Sequence, residues 1–205
     1  MQKGLSLLDN ILKHQYFKTT QNMRPFLKVN DQITLHLPHP DLADDIFRAV
    51  DTQRLYLREW LPWVDLTKSV DDTLAFIHSS IEKNKTGEQL TTFIYNGVDL
   101  AGSIGFVNIN KDQKIGEIGY WLHRDMQRQG IMTQTCQRFI DYAFRTKALN
   151  RIEIKVANQN IKSQAIPKRL GFTHEGTLRE ALQMYGKFHD LELFSFLRRE
   201  WAVKR

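Results

Sequence analysis

A short polar loop between a predicted strand and a predicted helix has the residue types needed to bind an anion. The stretch Gly116-Glu117-Ile118-Gly119-Tyr120-Trp121-Leu122 has strand character, and Gln127-Arg128-Gln129-Gly130 precedes an amphipathic segment. Backbone N–H groups in the first turn of a helix lack intrahelical partners, and the helix N-terminus carries about half a positive charge. Such a terminus holds a pyrophosphate well, and Arg128 could add a side-chain contact. An ordinary strand–helix connection with one capping glycine is the alternative.

Several other kinds of site are excluded by the same inspection. A dinucleotide fingerprint needs three glycines in G-x-G-x-x-G, and a Walker A loop needs Gly-Lys followed by Ser or Thr; neither fits this loop. The single cysteine, Cys136, falls on the apolar stripe of the predicted helix, where a buried, inert thiol is expected. His189 and Asp190 are adjacent on a predicted strand, so their side chains point to opposite faces and form no dyad. No spacing of His, Cys and acidic residues suggests a metal site.

The elements that would position this loop follow from hydrophobic periodicity and turn residues. Helices are predicted over residues 41–50, 69–87, 130–146 and 160–170, and Ser69 begins a capping-box-like sequence. Strands are predicted over residues 33–37, 90–95, 100–109, 115–122, 151–156, 172–178 and 191–197. A meander of strands followed by a strand–helix–strand–helix–strand order predicts a mixed sheet with helices on its faces.

Composition limits the class of protein. The chain has 205 residues, 41% of them hydrophobic, and a formal net charge of +6 from 29 Lys and Arg against 23 Asp and Glu. That composition is globular and excludes intrinsic disorder, collagen-like repeats and a disulfide scaffold. The charge is mild and not clustered, so we expect no direct nucleic-acid binding. No run of about 18 apolar residues is present, so we expect no membrane span.

The first 22 residues differ from the rest. Leu5, Leu8, Ile11 and Leu12 fall near helical spacing, which predicts a short amphipathic helix in an N-terminal extension over residues 1–22. The remaining residues, 23–205, are predicted to form one domain, in keeping with a prior of about 150 residues per domain.

The loop and its surroundings resemble the GCN5-related N-acetyltransferase (GNAT) superfamily. That family's acetyl-CoA motif is Q/R-x-x-G-x-G/A after a strand, and here it is Gln127-Arg128-Gln129-Gly130-Ile131-Met132, with Met132 in place of the small last residue. Further stretches agree, and together they resemble the branch that acetylates N-terminal amines of ribosomal proteins, especially the ribosomal-protein-serine acetyltransferases. The resemblance covers about residues 26–201, and its ordered series is Tyr142-Ala143-Phe144, Leu149-Asn150-Arg151-Ile152, Asn158-Gln159-Asn160-Ile161-Lys162-Ser163, Leu170-Gly171-Phe172 and Glu175-Gly176.

The resemblance implies an α+β fold with a mixed, mostly antiparallel central sheet flanked by helices. It implies acetyl-CoA as cosubstrate, no metal, and direct attack of an amine on the thioester in a ternary complex. The thioester would lie where the strand ending at Leu122 parts from the strand beginning at Arg151. The cofactor-binding residues implied are Trp121, Leu122, His123, Gln127, Arg128, Gln129, Gly130, Ile131, Met132, Thr133, Asn158, Asn160 and Ser163.

For the catalytic and acceptor-binding residues, the resemblance leaves alternatives open. Ser163 occupies the position of the family's proton donor to the CoA sulfur, although it could merely line a helix turn capped by Asn160. Glu117 and Glu180 are the two candidates for the general base, and an ion pair with Lys or Arg is the alternative for Glu117. Trp60 and Trp63 lie where the family builds its acceptor groove; core packing beneath a loop is the alternative.

We expect a cytoplasmic N-acetyltransferase whose acceptor is the N-terminal α-amine of a ribosomal protein beginning with Ser, Thr or Ala. The family resemblance is compatible with a homodimer. Two alternatives stay open at this point: an acetyltransferase for a small-molecule amine such as an amino acid or antibiotic, and a weakly catalytic acyl-CoA-binding protein.

Overall fold

The computed structural model of the chain describes residues 23–203. The helix predicted within residues 1–22 lies outside this range and stays a prediction, as does the domain boundary at residue 23.

Eight strands form one sheet in the spatial order β1-β2-β3-β4-β5-β6-β8-β7. Every neighbouring pair is antiparallel except β5 and β6, which are parallel because a helix crosses over between them. The strands are β1 Leu27–Lys28, β2 Ile33–His36, β3 Leu90–Asn96, β4 Asp99–Asn110, β5 Ile115–Leu122, β6 Arg151–Ala157, β7 Thr173–Met184 and β8 Lys187–Leu197.

Six α-helices accompany the sheet within the described range. They are α1 Ala43–Asp51, α2 Arg54–Leu57, α3 Val70–Thr86, α4 Ile131–Arg145, α5 Ile161–Leu170 and α6 Arg198–Val203; short 3-10 turns cover Pro40–Leu42, Pro62–Asp65 and Arg124–Met126. The capping box predicted for α3 is present, because Ser69 Oγ accepts from the Asp72 amide at 3.2 Å and the Asp72 carboxylate accepts from the Ser69 amide at 2.9 Å.

The helices cover the two faces of the sheet. Helix α4 buries Phe139, Ile140 and Phe144 against the central strands in the largest core cluster. A second cluster joins α1 and α3 to β3 through Ile46, Ile77 and other residues. Cys136 is fully buried in the α4 cluster, where burial raises the pKa of its thiol, as expected for an inert cysteine.

The predicted mixed, mostly antiparallel sheet with helices on its faces is confirmed. The C-terminal strands are longer than the periodicity predicted, since β7 and β8 form one hairpin joined at Tyr185 and Gly186. The segment around Trp60 also differs, because the helical turn α2 precedes it without having been predicted and Trp63 lies within the 3-10 turn Pro62–Asp65.

Candidate functional site

A cleft opens where β5 and β6 diverge. The two strands pair from Ile115 with Arg151 to Glu117 with Glu153, and the pairing ends there. Beyond this point β5 continues beside β4, whereas β6 continues beside β8. The cleft has a volume of about 580 Å³ and is lined by four parts of the chain: α2 with the turn after it, the end of β5, the start of α4 with its preceding loop, and α5.

One end of the cleft is the polar loop that begins α4. Gly130 is the N-cap of α4 and adopts φ +75°, a left-handed conformation that glycine enters at little cost. Arg128 has φ +62°, which is uncommon for a residue with a side chain. The Gly130 carbonyl accepts from the Gln134 amide at 3.0 Å, and the Gln127 side chain donates to the Tyr56 hydroxyl. The loop therefore aims the positive end of a 15-residue helix at the cleft.

Three cationic side chains line the same cleft: Arg128, Lys162 and Arg169. Arg169 donates to the Thr133 hydroxyl at 2.9 Å and so joins α5 to the first turn of α4. The Lys162 ammonium lies 5.7 Å from the centre of the Tyr56 ring. Sequence reasoning identified only Arg128. The available signal was the spacing of seven residues between Lys162 and Arg169, which places both on one face of a helix.

Two hydroxyl groups meet across the gap between β5 and α5. The Ser163 hydroxyl donates to the Tyr120 hydroxyl at 3.3 Å, and Tyr120 donates to the Ser163 carbonyl at 2.9 Å. Burial raises the pKa of Tyr120, so its phenol stays protonated and is a proton donor rather than a base. Asn160 caps α5 by accepting from the Ser163 amide at 3.1 Å, which fixes the serine at the cleft wall. Tyr120 carried no assigned role in the sequence analysis.

The remaining residues expected to bind the cofactor divide into two groups. Most of them line the cleft: Trp121, Leu122, Ile131, Met132 and Thr133. His123, Gln129 and Asn158 do not, and each stabilises a turn or strand end instead. The His123 ring accepts from the Asp125 amide at 3.3 Å, the Gln129 side chain donates to the Asp125 carbonyl at 3.0 Å, and the Asn158 carbonyl accepts from Gln164 at 2.9 Å.

The structure places both candidate bases outside the cleft lining. Glu117 forms an ion pair with Lys155 at 2.7 Å, which is the alternative considered for it. Glu180 lies on β7 and is exposed, and its backbone N–H donates to the Asp190 carboxylate at 2.8 Å. Glu59, which follows α2, is the acidic residue in the lining of the cleft, and no sequence motif identified it.

The two tryptophans of the predicted acceptor groove have different surroundings. Trp60 lines the cleft. Trp63 packs against the cluster of Val50, Leu57 and Val64, and its ring centre lies 6.3 Å from that of Trp121. Trp63 therefore supports the cleft wall from behind, and Trp60 is the one that reaches the open space.

Known acetyltransferase sequences are similar to this chain over most of its length. A sequence model described as the acetyltransferase (GNAT) domain matches residues 32–173. The N-acetyltransferase YdaF of Bacillus subtilis is 33% identical over 185 residues, which is 87% of this chain and 98% of YdaF. The ribosomal-protein-serine acetyltransferase of Escherichia coli is 27% identical over 173 residues, which is 84% of this chain and 97% of that protein.

Solved structures of acetyltransferases are also similar to this chain. The microcin self-immunity acetyltransferase MccE, in complex with acetyl-CoA and AMP, superposes with a TM-score of 0.83 at 29% identity, covering 85% of this chain and 97% of MccE. RimL, a ribosomal α-N-protein acetyltransferase in complex with coenzyme A, superposes with a TM-score of 0.80 at 26% identity, covering 83% of this chain and 96% of RimL.

Residues 23–203 contain neither a metal-binding cluster nor a membrane-spanning helix. No group of three or more His, Cys, Asp or Glu in this range could hold a metal ion. None of its helices has the length and apolar character needed to cross a bilayer.

Proposed function

We propose that this chain, which belongs to the acetyltransferase (GNAT) family and is an acetyl-CoA-dependent N-acetyltransferase, acetylates the N-terminal α-amine of a ribosomal protein. The observation that carries the proposal is the similarity to the ribosomal-protein-serine acetyltransferase over 84% of this chain and 97% of that protein. It is joined to a cleft between β5 and β6 with an anion-binding loop at one end. We further propose that the amine attacks the thioester directly, with both substrates bound in this cleft.

The residues of the cleft fit acetyl-CoA. The N–H groups at Gly130 and the first turn of α4 would hold the pyrophosphate, because they point the same way and lack helical partners. Arg128, Lys162 and Arg169 supply the positive charge that a molecule with several phosphates requires. The unpaired edge of β5 past Glu117 offers backbone groups to the pantetheine arm and the thioester.

The proton transfers set the demands on the side chains. An N-terminal α-amine has a reference pKa of about 7.7–8.0, so a fair fraction is already neutral near neutral pH. Attack on the thioester carbon forms a C–N bond, the C–S bond breaks, and the departing thiolate must gain a proton. We propose that the Ser163 hydroxyl, hydrogen-bonded to Tyr120, donates that proton and recovers, through the Tyr120 phenol, the proton that the attacking nitrogen loses as it becomes an amide.

A second acceptor class is favoured by one observation. MccE, which superposes on this chain, was solved with acetyl-CoA and AMP and is named as a self-immunity enzyme. A small-molecule amine is therefore the alternative acceptor for this chain.

Mass spectrometry after incubation with acetyl-CoA separates these proposals. The panel contains peptides beginning with Ser, Thr, Ala and Met, together with free amino acids and aminoglycosides, and fragmentation locates the modified nitrogen. The proposal predicts an acetyl group on the α-nitrogen of peptides, with Ser, Thr or Ala first. Modification of small amines alone would contradict the ribosomal acceptor and favour the alternative.

A further inference from the structure

We infer that Glu59 is the carboxylate that binds the acceptor's ammonium group and removes its proton. The inference rests on the proposed function, since it concerns the amine that the enzyme acetylates. It assigns the general base to a residue that neither the motifs nor the resemblance indicated.

Glu59 differs in charge from every other titratable group that lines the cleft. Those groups are Tyr56, Tyr120, Arg128, Lys162 and Arg169, of which three are cations and two are phenols. Glu59 is thus the one acidic residue of the lining among the described residues. An ammonium group entering a cleft with three cations needs such a counter-charge.

The Glu59 carboxylate is also uncommitted. It is exposed to solvent, and among residues 23–203 no hydrogen bond or ion pair occupies it. Its neighbour Arg58 does not neutralise it, because the Arg58 guanidinium binds the Asp65 carboxylate at 2.9 and 2.8 Å. Within the described part of the chain, the carboxylate is therefore free to receive a cation from solution.

The backbone that carries Glu59 is held from two sides. The Arg58 amide donates to the Arg54 carbonyl at 2.9 Å, and the Leu61 amide donates to the Leu57 carbonyl at 3.0 Å. From the β7–β8 hairpin, the Tyr185 hydroxyl donates to the Arg58 carbonyl at 2.6 Å, and the Arg58 guanidinium lies 4.8 Å from the Tyr185 ring centre. These contacts position Glu59 beside Trp60, which also lines the cleft.

The other candidate carboxylates are less suited to the role. Glu117 is neutralised by Lys155, which also lies 3.6 Å from Glu153. Glu180 belongs to β7, away from the cleft lining. Neither offers a free charge to an amine in the cleft.

The proposed step is balanced in protons and charge. The acceptor enters as an ammonium ion and forms an ion pair with the Glu59 carboxylate. One proton passes from the nitrogen to the carboxylate, directly or through one water molecule, and leaves a neutral amine with a lone pair for the thioester carbon. The carboxylic acid returns its proton to solvent after the acetylated product leaves.

The test compares Glu59→Gln and Glu59→Asp with the wild type, using a peptide that begins with Ser as acceptor. Glu88→Gln is the matched control, because Glu88 is an exposed glutamate outside the cleft lining. Both kcat and KM are measured from about pH 6.5 to about pH 9.5, a range that spans the α-amine pKa. Acetyl-CoA affinity and Tm are measured on each variant.

We expect Glu59→Gln to lower kcat/KM by about tenfold near pH 7, because only about a tenth of the α-amine is neutral there without the carboxylate. The loss shrinks below about twofold near pH 9.5, where most of the amine is already neutral. Glu59→Asp regains part of the rate, and acetyl-CoA affinity and Tm stay at wild-type values in both variants. Glu88→Gln behaves as the wild type.

Three results would overturn the assignment. They are an unchanged rate in Glu59→Gln, a loss of equal size at every pH, and a pH-dependent loss in Glu180→Gln without one in Glu59→Gln. Failure of the proposed function looks different, because the wild type itself would then acetylate no peptide. If the wild type acetylates only a small amine, the same variants measured with that amine still decide the role of Glu59.

Discussion

Substitution of Gly130 tests whether the start of α4 binds the phosphates. Gly130 has φ +75°, and an added Cβ would lie 3.3 Å from the Gln134 side-chain nitrogen, the end of a flexible side chain. Steric conflict is therefore small, and the cost of a side chain is conformational, about 1–2 kcal/mol for most residues in the left-handed region. Asn and Asp enter that region more readily than other residues, so a comparison of Gly130→Asn with Gly130→Asp isolates the effect of the added charge.

The magnitude follows from Coulomb's law. A carboxylate about 4 Å from one phosphate charge is repelled by about 1 kcal/mol at the dielectric of water and by about 4 kcal/mol at an effective dielectric of 20. An intermediate value of about 2 kcal/mol corresponds to a loss of about 30-fold in affinity. We expect Gly130→Asn to bind acetyl-CoA within about fivefold of the wild type and Gly130→Asp to bind about 30-fold more weakly than Gly130→Asn.

Isothermal titration calorimetry with two ligands checks this prediction. Acetyl-pantetheine lacks the nucleotide and its diphosphate, so its affinity should be equal in the Asn and Asp variants. Raising the salt concentration should reduce the difference in acetyl-CoA affinity between the two variants, because exposed charges are screened. Gly87→Asp is the control, since Gly87 has φ +71° and lies at the end of α3, outside the cleft. Equal acetyl-CoA affinities for Gly130→Asn and Gly130→Asp would refute the phosphate site.

Three further predictions concern the Ser163–Tyr120 hydroxyl pair, the buried side chain of Met132 and the ion pair of Glu175. Ser163→Ala and Tyr120→Phe should each lower kcat by about 100-fold in steady-state kinetics, with acetyl-CoA affinity unchanged. The double variant should show little further loss of kcat, because the two hydroxyls act as one hydrogen-bonded chain. Losses that multiply in the double variant would contradict this. Met132→Ala should lower the free energy of unfolding by about 2–3 kcal/mol in urea, since the side chain is 5% exposed in the main core, yet acetyl-CoA affinity should fall far less than in Gly130→Asp. The Arg151 guanidinium and then the Ser195 hydroxyl lower the pKa of Glu175 to about 2, so its contribution to stability is complete above its ordinary pKa of 4.5 and is lost as the pH falls towards 2. Glu175→Gln should therefore cost about 1 kcal/mol at pH 7, and the difference from the wild type should vanish near pH 2 in denaturant titrations at a series of pH values.

The sequence predicted the elements whose pattern is local. Helix α3 was predicted with its limits because Ser69 and Asp72 form a capping box and Gly87 ends the helix. The loop before α4 was identified for the same reason, since a helix start beside a glycine is a local feature. Its strand neighbour β5 was predicted from a short run with a clear end.

The parts that depend on contacts distant in sequence could not be predicted in this way. The β7–β8 hairpin is longer than its periodicity indicates, because β7 is an exposed edge strand whose pairing with β8 shifts register between Leu178 and Leu182. Tyr185 and Gly186, both with positive φ, supply the tight turn. Glu59 was missed because α2 is brought to the cleft by residues distant in sequence, Gln127 and Lys162, which contact Tyr56.

We propose above that one cleft, between β5 and β6, holds acetyl-CoA and the acceptor amine together. The most direct measurement is a crystal structure with a bisubstrate analogue, in which CoA is joined through an acetyl bridge to the α-nitrogen of a peptide that begins with Ser. We predict the pyrophosphate at Gly130, the sulfur within hydrogen-bond distance of the Ser163 or Tyr120 hydroxyl, and the peptide passing Trp60 and Glu59. A pyrophosphate bound elsewhere, or a sulfur remote from both hydroxyls, would contradict it.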